Sequence, residues 1–430
     1  MRAVREVTLR ETSTRSTIHL DNKSSNDQTS AVRRRSPWSG IAAGVLTLAL
    51  STTTFTTPAQ ARTATAPPKP GQPGTGLVCD GVRTPTFQSS APDAGLNGQF
   101  TRYGNDNGRT DDWTGADGTY STKLPDGRVA FVFSDTFLGK VNPDGGRSPV
   151  IEEGGTTPFL NNSFVIKDGK RFTTVHGGTK KDPKAVMPPR DSKHWYWAGD
   201  AITAGGKVQV TYQEYERFGD GIWDWRWLRN VVAKFKPNNL SKPESVTAIP
   251  SSTKIAWASW LERSGGTIYV YGVEDLGDTK YMHLARVRGG DLAKPWEFYK
   301  GDGTWSKTEA DSARIMPGVA NEYSVSRMGR AYMLITQDTT VKFNTAIVAY
   351  FSCSPQGPFT GKTTVYSTPE TGAAGSYGNP NIFTYNAHAH PEMSSRNRIV
   401  VSYNVNSFVN TDHYKDTSIY RPRFIDLRFR

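Results

Sequence analysis

The sequence has 430 residues, 52 Lys plus Arg against 40 Asp plus Glu, a formal net charge of +12, and two cysteines. This excludes a disulfide-dense scaffold and, with no Cys/His cluster at metal-ligand spacing, a structural zinc site. No basic run is interleaved with aromatics, so nucleic acid is not an expected partner; the excess charge reads as a solvated basic surface that could favour anionic cell-wall polymers.

Arg33, Arg34 and Arg35 precede the apolar run 41–50, and Ala59-Gln60-Ala61 ends a small-residue stretch. A basic n-region, a short apolar h-region and an A-x-A site predict a secretory signal peptide over residues 1–61, with a long n-region. The apolar run is too short to cross a bilayer as a mature helix. Residues 62–76, "RTATAPPKPGQPGTG", lack apolar periodicity and predict a Pro/Gly/Thr-rich linker. The mature chain is expected to be secreted, free of membrane segments and monomeric. Oxidising surroundings allow a Cys79–Cys353 disulfide, and two buried thiols remain the alternative.

From Leu77 onward, long amphipathic helical patterns are absent. Trp113 to Phe137, "WTGADGTYSTKLPDGRVAFVFSDTF", reads as a hairpin around "PDG". Asp117 lies nine residues before Asp126 and Asp135 nine after it. Antiparallel pairing therefore sets the two carboxylates opposite each other or within one residue of it. Close carboxylates push one pKa upward, the asymmetry an acid–base pair requires. Capping aspartates neutralised by an arginine are the ordinary alternative.

The same plan recurs: polar entry, strand, turn, apolar strand. Further apolar strands are "KVQVTYQEY", "TIYVYGVED", "RAYMLITQD" and "RIVVSYNVN", each after a turn signal. Five such units, starting near Asp117, Asp200, Ser259, Glu322 and Ala389, predict an all-β fold, a single five-bladed β-propeller over 77–430. A sandwich is the alternative. The polar entries should converge on one face. They hold Asp117, Asp200, Trp257 with Trp260, Glu322, and His388 with His390.

Two carboxylates flanking a scissile bond are the machinery of glycoside hydrolysis. Trp195 and Trp197 in "WYW" are candidates for stacking on a sugar face. Trp223, Trp225 and Trp227 in "WDWRW" share a strand face and suit packing better. His388 and His390, two residues apart on one side of a strand, fit a metal at the channel axis, hydrogen bonds to substrate, or a structural pair. No cofactor motif is present and no metal site is assigned.

The segments "GADGTYS", "LPDGR", "FSDTFLG", "NNSFV", "HGGT", "YWAGD", "YGVEDLG", "GVANEYSV", "TPETG" and "YNAHAHPE" resemble secreted actinobacterial propeller proteins classed as domains of unknown function. The resemblance covers about residues 77–430. A related group contains endo-D-arabinofuranases of mycobacterial arabinan, and it implies catalytic aspartates at Asp117 and Asp135. A more distant resemblance to five-bladed arabinanase, xylosidase and invertase propellers implies Asp117 as base or nucleophile, Asp200 as a tuning acid and Glu322 as acid. The expected function is hydrolysis of a furanose-rich polysaccharide such as arabinan. The alternative is a carbohydrate-binding propeller without catalysis.

Overall fold

The computed structural model describes residues 77–219 and 224–430. The signal-peptide and linker expectations fall outside the described residues, as does Trp223. Among the described residues no helix is long and apolar enough to cross a membrane.

The described chain is all-β. Five antiparallel sheets of four or more strands follow one another. Sheet I holds Tyr120–Lys123, Val129–Phe133, Ser163–Asp168 and Arg171–Val175. Sheet II holds His194–Ala204, Lys207–Arg217, Trp225–Phe235 and Ser245–Ala248. Sheet III begins with Ile255–Ser264, Thr267–Asp275 and Lys280–Arg288. Sheet IV holds Ser324–Met328, Ala331–Gln337, Ala346–Ser352 and Thr360–Ser367. Sheet V holds Ile382–Ala389, Arg398–Ser407, Arg423–Phe429 and, as its fourth strand, the early segment Phe87–Pro92.

The first strand of each sheet lies against the first strand of the next from I to V. Sheet V returns to sheet I through His388, whose ring stacks on Tyr120 at 4.6 Å. Period-two alternation explains why these strands form. Val208, Val210 and Tyr212 of sheet II point into one buried cluster with Val132 and Phe164 of sheet I. Trp257, Val270 and Ala285 of sheet III pack with Val232 of sheet II. Large apolar side chains thus fill every seam between neighbouring sheets, and burial of that surface is the main stabilising term.

Two expectations need correction. A 12-residue helix, Ala94–Asn105, was not anticipated. It is capped by Asp93, whose side chain accepts the Leu96 N–H, and it buries Leu96, Phe100 and Tyr103. The last unit also begins earlier than Ala389: its first strand is Ile382–Ala389 and ends there. Cys79 and Cys353 form a disulfide with Cα atoms 5.1 Å apart, tying the first described residues to sheet IV.

Candidate active site

Asp117 lies in a break between the strands Gly115–Ala116 and Tyr120–Lys123. Two consecutive left-handed residues make the break, Gly118 at φ 87° and Thr119 at φ 56°. A Cβ at position 118 would also meet the Ser134 amide nitrogen at 3.0 Å. Glycine takes this backbone freely, whereas threonine is strained in it. The register survives: Ala116 pairs with Thr136 and Tyr120 with Val132. The Asp117 N–H donates to Asp135 O at 3.1 Å, and the Ser134 N–H donates to Asp117 O at 2.8 Å. The two aspartates are cross-strand neighbours.

Asp117 Oδ2 accepts the Tyr385 hydroxyl at 2.6 Å. Its Oδ1 is buried and has no hydrogen-bond partner among the described residues. Burial raises the Asp117 pKa, while the Tyr385 and Tyr420 phenols pull it back. Asp135 Oδ1 accepts Trp197 Nε1–H at 2.8 Å and Asn161 Nδ2–H at 3.0 Å. Burial, then repulsion from Asp117, pushes Asp135 up to about 8.

Glu322 stands just before the first strand of sheet IV. Its Oε2 is buried, 3.6 Å from His388 Nδ1, and makes no hydrogen bond among the described residues. Burial, then the Asp117 charge, holds its pKa well above the usual carboxylate range. Asp117 is thus coupled electrostatically to both Asp135 and Glu322. His388 is fully buried, with its nitrogens 3.1 Å from Asn386 O and Thr119 O. Burial draws its pKa down to about 4, so the ring beneath Glu322 is neutral.

The other sequence candidates do not join this cluster as expected. Asp200 is 2% exposed; its Oδ1 accepts Ala201 N–H and its Oδ2 accepts Leu261 N–H, both at 2.7 Å. With both oxygens accepting backbone N–H groups it clamps sheet II to sheet III, and its charge adds to the rise of the Glu322 pKa, the effect expected of a tuning acid. Trp257 is a core residue, fully buried and donating from Nε1 to Glu309 Oε1 at 2.8 Å. Trp260 is buried beside His388. His390 is fully buried between Ser121 Oγ at 2.5 Å and Ser402 Oγ at 2.8 Å. Trp195 and Trp197 pack with Tyr215 and Trp225 in one ring cluster. Only Trp197 of the pair reaches a carboxylate.

Sequence reasoning missed the groups that hold Asp117. Tyr385 also accepts Asn406 Nδ2–H at 3.3 Å, and Asn406 Oδ1 lies 2.8 Å from His413 Nε2, so a polar chain fixes the phenol. It also missed an aromatic platform beside Tyr385. Phe383 stacks on Phe408 at 4.4 Å and lies 5.4 Å from Tyr385. Phe343 meets both Phe rings edge-on, is 50% exposed, and sits at φ 52°. A bulky residue held exposed in the left-handed region is a strained feature of the kind found at ligand sites. No motif marks Phe343 in the sequence.

The raised Asp135 pKa has a consequence for stability. A carboxyl whose folded pKa exceeds its unfolded value near 4 stabilises the fold fully below that pH, and this is lost as pH rises through about 8. Asp135→Asn should therefore melt within about 1 °C of wild type at pH 4 but several degrees higher at pH 9. Thermal denaturation at the two pH values checks this.

A family model described as a domain of unknown function (DUF5005) matches residues 97–428. No curated protein matches the sequence. A crystal structure of a Bacteroides ovatus protein, described as a "putative hydrolase", superposes with a TM-score of 0.66 at 21% identity, covering 79% of this chain and 90% of that one. That similarity is one of fold. Looser likenesses include an α-L-arabinofuranosidase from Podospora anserina (TM-score 0.39, 9% identity, covering 75% and 93%) and a GH43_1 enzyme from Xanthomonas citri (0.38, 16%, 77% and 92%). At that level of superposition neither carries an argument.

Proposed function

The chain belongs to the DUF5005 family, a domain of unknown function, and on that premise we propose that it is a secreted glycoside hydrolase acting on a furanose-rich polysaccharide such as cell-wall arabinan. The observation that carries the reading is the coupled cluster of Asp117, Asp135 and Glu322, in which Asp117 Oδ1 and Glu322 Oε2 have no hydrogen-bond partner among the described residues. Two roles separate by environment. Burial raises the Asp117 pKa, phenolic hydrogen bonds from Tyr385 and Tyr420 oppose that rise, and we assign it the role of base or nucleophile. Glu322, whose pKa burial and then the Asp117 charge hold well above the usual carboxylate range, is the acid that protonates the leaving oxygen. Asp135 is the tuning acid, held neutral beside Asp117.

We read the five sheets as the blades of a propeller whose last blade is completed by Phe87–Pro92. The resemblance to endo-D-arabinofuranases supports arabinan as the polymer. Trp197 is hydrogen-bonded to Asp135, and the Phe343 platform adjoins Tyr385, the partner of Asp117; both suit stacking on sugar rings.

Release of reducing ends from a panel of furanose- and pyranose-containing polysaccharides tests the function. Cleavage of arabinan is expected. Binding to glycans without cleavage of any of them would instead make the protein a carbohydrate-binding module. Phe343→Ala should raise KM for the polymer about tenfold, as expected for loss of one stacked ring, and leave kcat within about twofold. Steady-state kinetics on the cleaved polymer checks this.

A further inference from the structure

The first strand of sheet IV starts beside Glu322 and ends at Met328. Beyond that end lies a cavity of about 740 Å³, formed by the turns of sheets IV and V and by the segment around Cys79. Arg83, Arg327, Arg330, Arg396 and Arg430 line it, and no Asp or Glu does. All five arginines are exposed. Arg327 Nε donates to the Gly329 carbonyl, and Arg330 reaches Asp80 only at 4.0 Å. Arg83, Arg396 and Arg430 have no side-chain hydrogen bond or ion pair among the described residues. Elsewhere the chain pairs its cations freely, as at Arg314–Glu274 and Arg286–Glu297.

We propose that this arginine-lined cavity is a second glycan site that binds an anionic polysaccharide bearing carboxylate groups, on the opposite end of the inner strands from the carboxylate cluster. Three of these guanidinium groups, on Arg83, Arg396 and Arg430, have no side-chain counter-charge among the described residues, and a polyanion would supply one. Guanidinium forks match carboxylates with two parallel hydrogen bonds. The cavity is concave, which suits a chain segment better than a flat lipid surface. Its lining has no aromatic ring on which a nucleobase could stack. The chain's own residues 62–76 are not the occupant by charge, since they contain Arg62 and Lys69 and no acid. The proposal does not rest on the catalytic reading of Asp117.

Affinity gel electrophoresis in polygalacturonate, with dextran as the neutral reference, tests it. Wild type and Asp117→Asn should both be retarded by polygalacturonate and not by dextran. The triple variant Arg83→Gln, Arg396→Gln, Arg430→Gln should bind at least tenfold more weakly. Lys170→Gln, Lys180→Gln, Lys181→Gln removes the same charge from exposed positions outside the cavity and should change binding less than twofold. Equal losses in both triple variants, or no retardation of wild type, would overturn the site. Duplex DNA or anionic vesicles bound as tightly as polygalacturonate would overturn its assignment to a glycan.

Discussion

Asp117→Asn should lower kcat on the cleaved polysaccharide by about 1,000-fold or more while KM moves less than about threefold. Asparagine keeps the size of the side chain and can still accept the Tyr385 hydroxyl, so the hairpin and its register should stand. What it loses is the charge. Burial raises the Asp117 pKa and the two phenols oppose that rise in favour of the ion, while Asp135 is pushed up beside it. The same charge helps to hold the Glu322 proton. One substitution therefore removes the base and weakens the reason for the acid's raised pKa. A variant with wild-type turnover would exclude Asp117 from the chemistry.

The largest expected loss of stability lies at Phe100. Phe100→Ala should destabilise the protein by about 3–5 kcal/mol, lowering its melting temperature by roughly 5–10 °C. The ring is 1% exposed. It contacts Phe131, Phe133 and Phe172 of sheet I at 5.2, 6.3 and 4.7 Å, and Phe424 of sheet V at 5.2 Å. It also meets Trp113, at 5.6 Å, where the Asp117 hairpin begins. The helix therefore wedges the seam where the end of the chain meets its beginning. Truncation leaves a cavity lined by rigid rings that cannot collapse into it. Because none of these rings touches the carboxylates, kcat at 20 °C should stay within about twofold. Differential scanning calorimetry with parallel kinetics separates the two effects.

The Asp117–Asp135 pairing was legible because a tight turn fixes register. Leu124 N–H donates to Arg128 O, and the ladder then runs out to both aspartates without a slip. The helix was not legible. "AGLNGQFTRYGN" contains three glycines and two asparagines, poor helix formers, and forms a helix because Leu96, Phe100 and Tyr103 find a buried face. Asp200 and Trp257 aligned with the entries of their units, yet repeat position does not say which way a side chain turns. The first strands of sheets II, III and V change register between Ala198 and Ala201, Trp257 and Trp260, and Tyr385 and His388. Such irregularities redirect side chains. Asp200 is turned onto backbone amides, and His388 is drawn under Glu322. Tyr385, Tyr420 and Phe343 act only through neighbours distant in sequence, so no local pattern marks them. The closing strand Phe87–Pro92 likewise pairs with Arg423–Phe429 from the far end of the chain.

The most direct test is a crystal structure of the Asp117→Asn variant soaked with an arabino-oligosaccharide. A glycosidic oxygen within hydrogen-bond distance of Glu322, the anomeric carbon facing residue 117, and a sugar ring against Phe343 are expected. An oligosaccharide bound elsewhere, with Glu322 and residue 117 untouched, would contradict the proposed function.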